Sequence, residues 1–175
     1  MKLGWILKKQ QEFNKIVDKN SDKIYGLFMK MTGSHDIADE LTQKTFIKVY
    51  DNLSTFRGDS ELSTWIYRIA VNVGKNHLRK EKAKKLIGLD KIKSLSEENN
   101  VQLNSDIKNK IHEAVQKLSP KQNMVMLLRG FQDLPYKQIG AIMGISENSA
   151  KVNYSHALKN LKKYLNRMGV TYEDL

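Results

Sequence analysis

The chain contains no cysteine and only two prolines, Pro120 and Pro135, in 175 residues. Without thiols there is no disulfide and no cysteine-built metal centre. The four histidines, His35, His77, His112 and His156, are scattered and show no metal-ligand spacing. They read as surface or helix-face residues. No carboxylate cluster, nucleophile–base pairing or glycine-rich phosphate loop stands out, so the sequence implies no catalytic residue, no metal and no cofactor. No apolar run is long enough to span a bilayer. The segment Met1–Lys9 has too short an apolar core for a signal peptide, so the expected location is cytoplasmic. Sustained strand-like alternation and internal repeats are also missing.

Negative charge is scarce as well. Nineteen acidic residues face thirty Lys and Arg, a formal net charge of +11. An excess of this sign favours a polyanionic partner, either nucleic acid or an anionic membrane surface. The length suits one domain or two small ones, and 40% hydrophobic residues suffice for a folded core.

Apolar residues recur at helical spacing, which predicts an all-α fold of two small helical domains joined by a flexible linker. Phe13, Ile16, Val17, Ile24, Leu27, Phe28 and Met31 predict one or two helices ending at Gly33. Ile37, Ala38, Leu41, Thr45, Val49 and Leu53 mark the next helix. Leu62, Trp65, Ile66, Ile69, Ala70 and Val73 mark another, basic toward Lys85. Residues 1–85 thus form an N-terminal bundle, and 86–108 a linker rich in turn formers around Ser94–Asn100. The isolated Leu and Ile residues there allow either a loose tether or a docked segment. Residues 109–175 form the second unit. In it Ser119-Pro120 opens a helix, Pro135 a short one, Gly144 supplies a turn, and Ser146 caps a last helix with Glu147 near its positive end.

Short helix, glycine turn and longer helix outline a helix-turn-helix, whose second helix enters the major groove. With Ala150, Tyr154, Ala157, Leu158 and Leu161 turned inward, Ser149, Lys151, Val152, Asn153, Ser155, His156 and Lys159 are left outside or at the margin. Lys suits phosphate or guanine, and Asn suits adenine. In the N-terminal bundle, Phe56-Arg57-Gly58-Asp59-Ser60 offers an aromatic ring, a guanidinium and a flexible backbone to an unstacked base. Asn72 and Asn76 follow on one helix face, with Lys75 and Arg79 nearby for phosphates. Trp65 reads as core. The lysines alone also fit a solvated helix end or a membrane-surface patch. Asp36, Asp39 and Glu40 form an acidic spot, and an exposed Leu41 or Phe46 beside it suits a protein partner. Acidic residues early in a helix also satisfy its dipole.

Three blocks in this order resemble bacterial sigma factors of the extracytoplasmic-function group, part of the sigma-70 family. Ile37–Phe46 resembles the polymerase-docking helix, Phe56–Arg79 the promoter-melting and −10-reading segment, and Leu118–Leu165 the −35-reading domain. The resemblance implies that Asp39, Glu40, Leu41, Gln43 and Phe46 dock on core RNA polymerase. It implies that Phe56, Arg57, Gly58, Asp59 and Ser60 capture a flipped base of the −10 element, which Asn72, Lys75, Asn76 and Arg79 also contact. It places Lys151, Val152, Asn153, Ser155 and His156 on the −35 element. Core polymerase, promoter DNA and an anti-sigma factor, commonly membrane-bound, are the implied partners; no small-molecule substrate is. The chain departs from the family at Asn153 and His156, where Arg is common. It departs again at Gln138-Ile139-Gly140 in place of Glu-Ile-Ala, where Gly140 is expected to loosen the first helix of the motif. A stand-alone helix-turn-helix regulator leaves Phe56–Arg79 unexplained, and a nucleic-acid-processing enzyme lacks a site.

Overall fold

The computed structural model describes residues 2–87 and 104–170, with side chains for all of these except 2–9, 85, 104–106 and 108. Every regular element among them is helical. Most of the expected linker lies outside the described residues.

The first unit is an antiparallel arrangement of three helices, α1 (Lys2–Thr32), α2 (His35–Asn52) and α3 (Leu62–Leu86). The apolar stripe from Phe13 to Met31 lies on one long helix rather than two. Ile24, Leu27, Phe28 and Met31 are fully buried on it. Ser34 caps α2 by accepting from the Ile37 amide at 3.5 Å, with Asp36 in the first turn. This arrangement satisfies one orphan donor and the helix dipole together. α2 runs into a short 3-10 turn, Leu53–Thr55, and an irregular loop before α3.

The second unit comprises α4 (Asn104–Lys117), α5 (Pro120–Gly130), α6 (Tyr136–Met143) and α7 (Glu147–Arg167). A full capping box opens α5: the Ser119 hydroxyl accepts from the Gln122 amide, and the Gln122 side chain accepts from the Ser119 amide. Gly144 ends α6 in the left-handed region (φ 66°), and Ser146 caps α7 through the Ser149 amide at 3.1 Å. These are the starts and stops that Pro120, Gly144 and Ser146 predict.

The two units do not stand apart. One core cluster joins Ile24, Phe28, Ala70 and Val71 of the first to Met124, Leu127, Leu128 and Ile139 of the second. α3 is the hub and packs on α5 and α6 as well as on α1 and α2. Close approach is possible because residue 74 is glycine. A Cβ there would lie 2.6 Å from the Met124 methyl, and 3.1 and 3.2 Å from Met31 and Phe28. Burying a side chain such as Met124 contributes about 1.5–3 kcal/mol.

Candidate nucleic-acid and partner interface

The loop after α2 turns back over the start of α3. Phe56 packs on Trp65 with ring centroids 5.3 Å apart. Gly58 takes φ 78° at the loop tip. The result is an open pocket of about 230 Å³ lined by Thr55, Phe56, Arg57, Asp59, Ser60, Trp65 and Arg68. It offers an aromatic wall and two guanidinium groups, the chemistry that holds an unstacked base beside phosphate. A second cleft of about 340 Å³ adjoins it, sharing Thr55 and Trp65 and adding Lys48, Asn52, Asn72 and Asn76. A third, about 400 Å³, shares Lys48 and Asn76 and adds Lys44, His77 and Lys80. The three adjoin along α3 and form one basic groove, bounded by α2 at one end and by the loop after α2 at the other.

Asn72 and Asn76 are exposed within this groove, as their four-residue spacing predicts. Lys75 is half-buried and Arg79 exposed, and neither lines the three clefts. Trp65 is only half-buried: it packs against the core and also lines two clefts. Its place on an apolar stripe hid that second role. Lys48 and Asn52 were missed, because the basic and amide groups of α2 give no local signal that they face α3; Arg68 of α3, expected as one of several phosphate-holding groups, lines the Phe56 pocket.

On α2 the expectation of an exposed Leu41 or Phe46 is corrected. Leu41 is 3% and Phe46 7% accessible, and both belong to the core. Leu41, Thr45 and Val49 recur at four-residue spacing and form the inward stripe, with Phe46 beside it. Asp39, Glu40 and Gln43 are exposed. The exposed apolar groups of this helix are Ile47 (60%) and Tyr50 (40%), the latter edge-on to Phe13 at 5.0 Å. Lys44 pairs with Glu40, and their hydrogen bond and mutual charge hold the Glu40 carboxyl below its usual range.

His77 sits half-buried on α3 facing α2. Burial lowers its pKa, with Lys84 and Lys44 adding to the shift and Glu81 and Glu40 opposing it. No group of three or more metal-ligating side chains occurs among the described residues. No helix there is long and apolar enough to cross a membrane.

The helix-turn-helix is α6, Gly144 and α7. Lys151, Val152, Ser155, His156 and Lys159 are exposed, with Ser149 and Asn153 half-buried at the margin. The Asn153 amide donates to the Ser149 carbonyl at 2.7 Å, so one of its two protons is engaged within the helix. Lys151 pairs with Glu147 at 3.0 Å and lies 6.0 Å over the Tyr136 ring. Leu158 does not point inward: it is 45% accessible. Ala157, Leu161 and Leu165 already carry the inward stripe, and the 100° step of the helix rotates Leu158 out of it. Nor does Gly140 loosen the motif. It is buried, and its Cβ would meet the Ile145 carbonyl at 2.7 Å and the Glu147 nitrogen at 3.3 Å. The residue lets the turn close on α6, where the Ile145 amide donates to the Gly140 carbonyl at 3.0 Å.

Two family descriptions match this chain: Sigma-70 region 2 over residues 16–84, and Sigma-70, region 4, over 108–161. The chain is 29% identical over 168 residues to the RNA polymerase sigma-H factor of Pseudomonas aeruginosa, covering 89% of this chain and 87% of that one. It is 32% identical over 146 residues to the ECF RNA polymerase sigma-E factor of Escherichia coli K12, covering 77% and 76%. Two solved structures share the fold. The sigma factor RpoE of Bartonella quintana, in complex with the anti-sigma factor NepR, superposes with a TM-score of 0.63 at 20% identity over 89% of this chain and 98% of that one. CnrH, in complex with the cytosolic domain of CnrY, gives 0.64 at 16% identity over 90% of each.

Proposed function

The chain belongs to the extracytoplasmic-function sigma factors of the sigma-70 family, and from that membership we propose how its residues divide the work of transcription initiation. It is a sigma factor rather than an enzyme: it binds core RNA polymerase and directs it to promoters. Residues 1–85 act as the polymerase-docking and −10-reading unit, 86–108 as the linker, and 109–175 as the −35-reading unit.

The observation that carries the residue assignment is the continuous basic groove along α3. A flipped base of the −10 element enters the pocket of Phe56, Arg57, Gly58, Asp59 and Ser60, against Trp65. Asn72 and Asn76 read bases further along, while Lys75 and Arg79 hold the backbone. Lys48 and Arg68 join them. Because these groups meet unpaired bases, they bind open DNA better than duplex and shift the equilibrium toward melting. Asp39, Glu40 and Gln43 dock on polymerase, with Ile47 and Tyr50 supplying the apolar contact first assigned to Leu41 and Phe46. Ser149, Lys151, Val152, Asn153, Ser155, His156 and Lys159 face the −35 element.

Two fold neighbours were solved with anti-sigma factors. Anti-sigma control of this chain follows from that kinship, and its partner in the resting cell is such a factor. The test is in vitro transcription with bacterial core polymerase on a genomic fragment library, mapping RNA 5′ ends with and without the chain. Discrete new starts sharing two upstream motifs are expected. Absence of polymerase binding would overturn the proposal in favour of a stand-alone duplex-binding regulator.

A further inference from the structure

We infer that the DNA interface of α7 extends past the −35 element: Lys163 and Arg167, at the far end of the helix, hold phosphates of the duplex that flanks the element on one side. The inference deepens the proposed −35 role of α7 and rests on it.

α7 is longer than base reading requires. It runs for 21 residues, a length of about 30 Å. A recognition helix presents its N-terminal residues to base edges in a groove about 12 Å wide, a width that about two helical turns fill. Measured along the axis from Val152, Lys163 lies about 16 Å further on and Arg167 about 22 Å. Both stand beyond the reading turns, at the level of the backbone that borders the groove and continues past it.

The far end also points the right way. Each residue steps 100° around the helix, so Lys159, Lys163 and Arg167 follow Val152 and His156 on one face. All five are exposed. The opposite face is fixed by packing. Ala157 and Leu165 are buried, and Leu165 clusters with Ala114 of α4 and with Val170. The Asn160 amide donates to the Gln122 side chain of α5 at 3.2 Å. The cations of the last turns are therefore oriented by the same core that orients the reading residues.

Their charge asks for a polyanion. From Asn148 to Tyr172 the sequence has five Lys and Arg and no Asp or Glu. Among the described residues only Lys151 of these five pairs with a carboxylate, that of Glu147. Lys159, Lys163 and Arg167 recur at four-residue spacing, where like charges repel one another. Complementing the helix dipole accounts for Arg167 in the last turn. It does not account for Lys163 and Lys159, which lie outside that turn. A phosphate backbone along the stripe removes the repulsion, and the duplex that meets Val152 and His156 is continuous with it. Such contacts fix register and orientation and carry no sequence information.

The test uses holoenzyme reconstituted from core polymerase and the full-length chain, either wild type or the double variant Lys163→Gln, Arg167→Gln, on a promoter recovered by mapping RNA 5′ ends. Glutamine keeps the helix propensity of the residues it replaces. Hydroxyl-radical footprinting reads backbone contact at each nucleotide. Wild type is expected to protect a short run of nucleotides just outside the −35 element, on one side only. The variant is expected to leave that run accessible while still protecting the element and starting at the same nucleotides. Losing two phosphate contacts lowers the log–log salt slope by about two, so the affinity advantage of wild type should shrink about tenfold between about 50 and about 200 mM salt. Identical footprints from the two chains would overturn the inference. A variant that loses initiation with its footprint intact would overturn it too, and would give the stripe to an acidic protein surface. A wild-type holoenzyme that protects no −35 element would remove α7 from −35 reading and this inference with it, a result visible before the variant is compared.

Discussion

Gly140→Ala sets two effects of known size against each other. Helix propensity alone predicts a gain of about 1 kcal/mol, since Gly140 lies within α6 at an ordinary helical position. Packing predicts the opposite. The added Cβ would stand 2.7 Å from the Ile145 carbonyl oxygen and 3.4 Å from the Ser146 carbonyl carbon. Both are backbone atoms of the turn, which no rotamer change can move aside. Overpacking of this kind costs about 1–3 kcal/mol. The turn is also pinned, because the Ile145 amide is bonded to the Gly140 carbonyl and Ser146 begins α7. The expected net effect is a loss of about 1 kcal/mol, or about 2–4 °C in Tm for a chain of this size. Displacing the turn also tilts α7 relative to α6, so −35 duplex binding should fall by more than the stability loss accounts for. Urea and thermal unfolding measure the first effect, and fluorescence anisotropy with a −35 duplex measures the second. A variant more stable than wild type with unchanged duplex affinity would refute the packing argument.

Other outcomes follow from the same contacts. Asn72→Ala or Asn76→Ala should reduce initiation while leaving polymerase binding intact; equal loss of both in a holoenzyme assay would remove these residues from −10 reading. Ile47→Asp should weaken polymerase binding in a pull-down with core enzyme, because it places a charge on an exposed apolar group that we propose docks there. Lys159→Ala should lower the salt dependence of duplex binding by about one unit of log–log slope, read from affinities across a salt series. Burial lowers the His77 pKa below its unfolded value of 6.5, so the folded state favours the neutral ring. Its contribution is complete above that value and is lost as pH falls through the lower folded one. Wild type should therefore lose more stability than His77→Gln between about pH 7.5 and about 5.5, measured by urea unfolding.

Much of the second unit was legible because its helices announce their own ends. Ser119, Gly144 and Ser146 act within one turn of their own position, and local chemistry is what a sequence displays directly. The errors fall where a residue's role depends on another helix. Leu41 and Phe46 beside an acidic spot look like a docking patch, yet α1 and α3 leave no room for them outside. Leu158 fits a generous apolar stripe, but the contacts of α7 use a narrower one. Gly140 looks like a weak helix former until the Ile145 carbonyl is placed against it. The groove follows the same rule. Asn72 and Asn76 share a helix face and could be paired by counting, whereas Lys48 and Asn52 enter only once α2 is set beside α3. Gly74 is the extreme case: its role exists only where the two units meet, where Met124 of the other unit occupies the space a side chain would need. A residue that does nothing within its own helix is thus what lets the two units share one core.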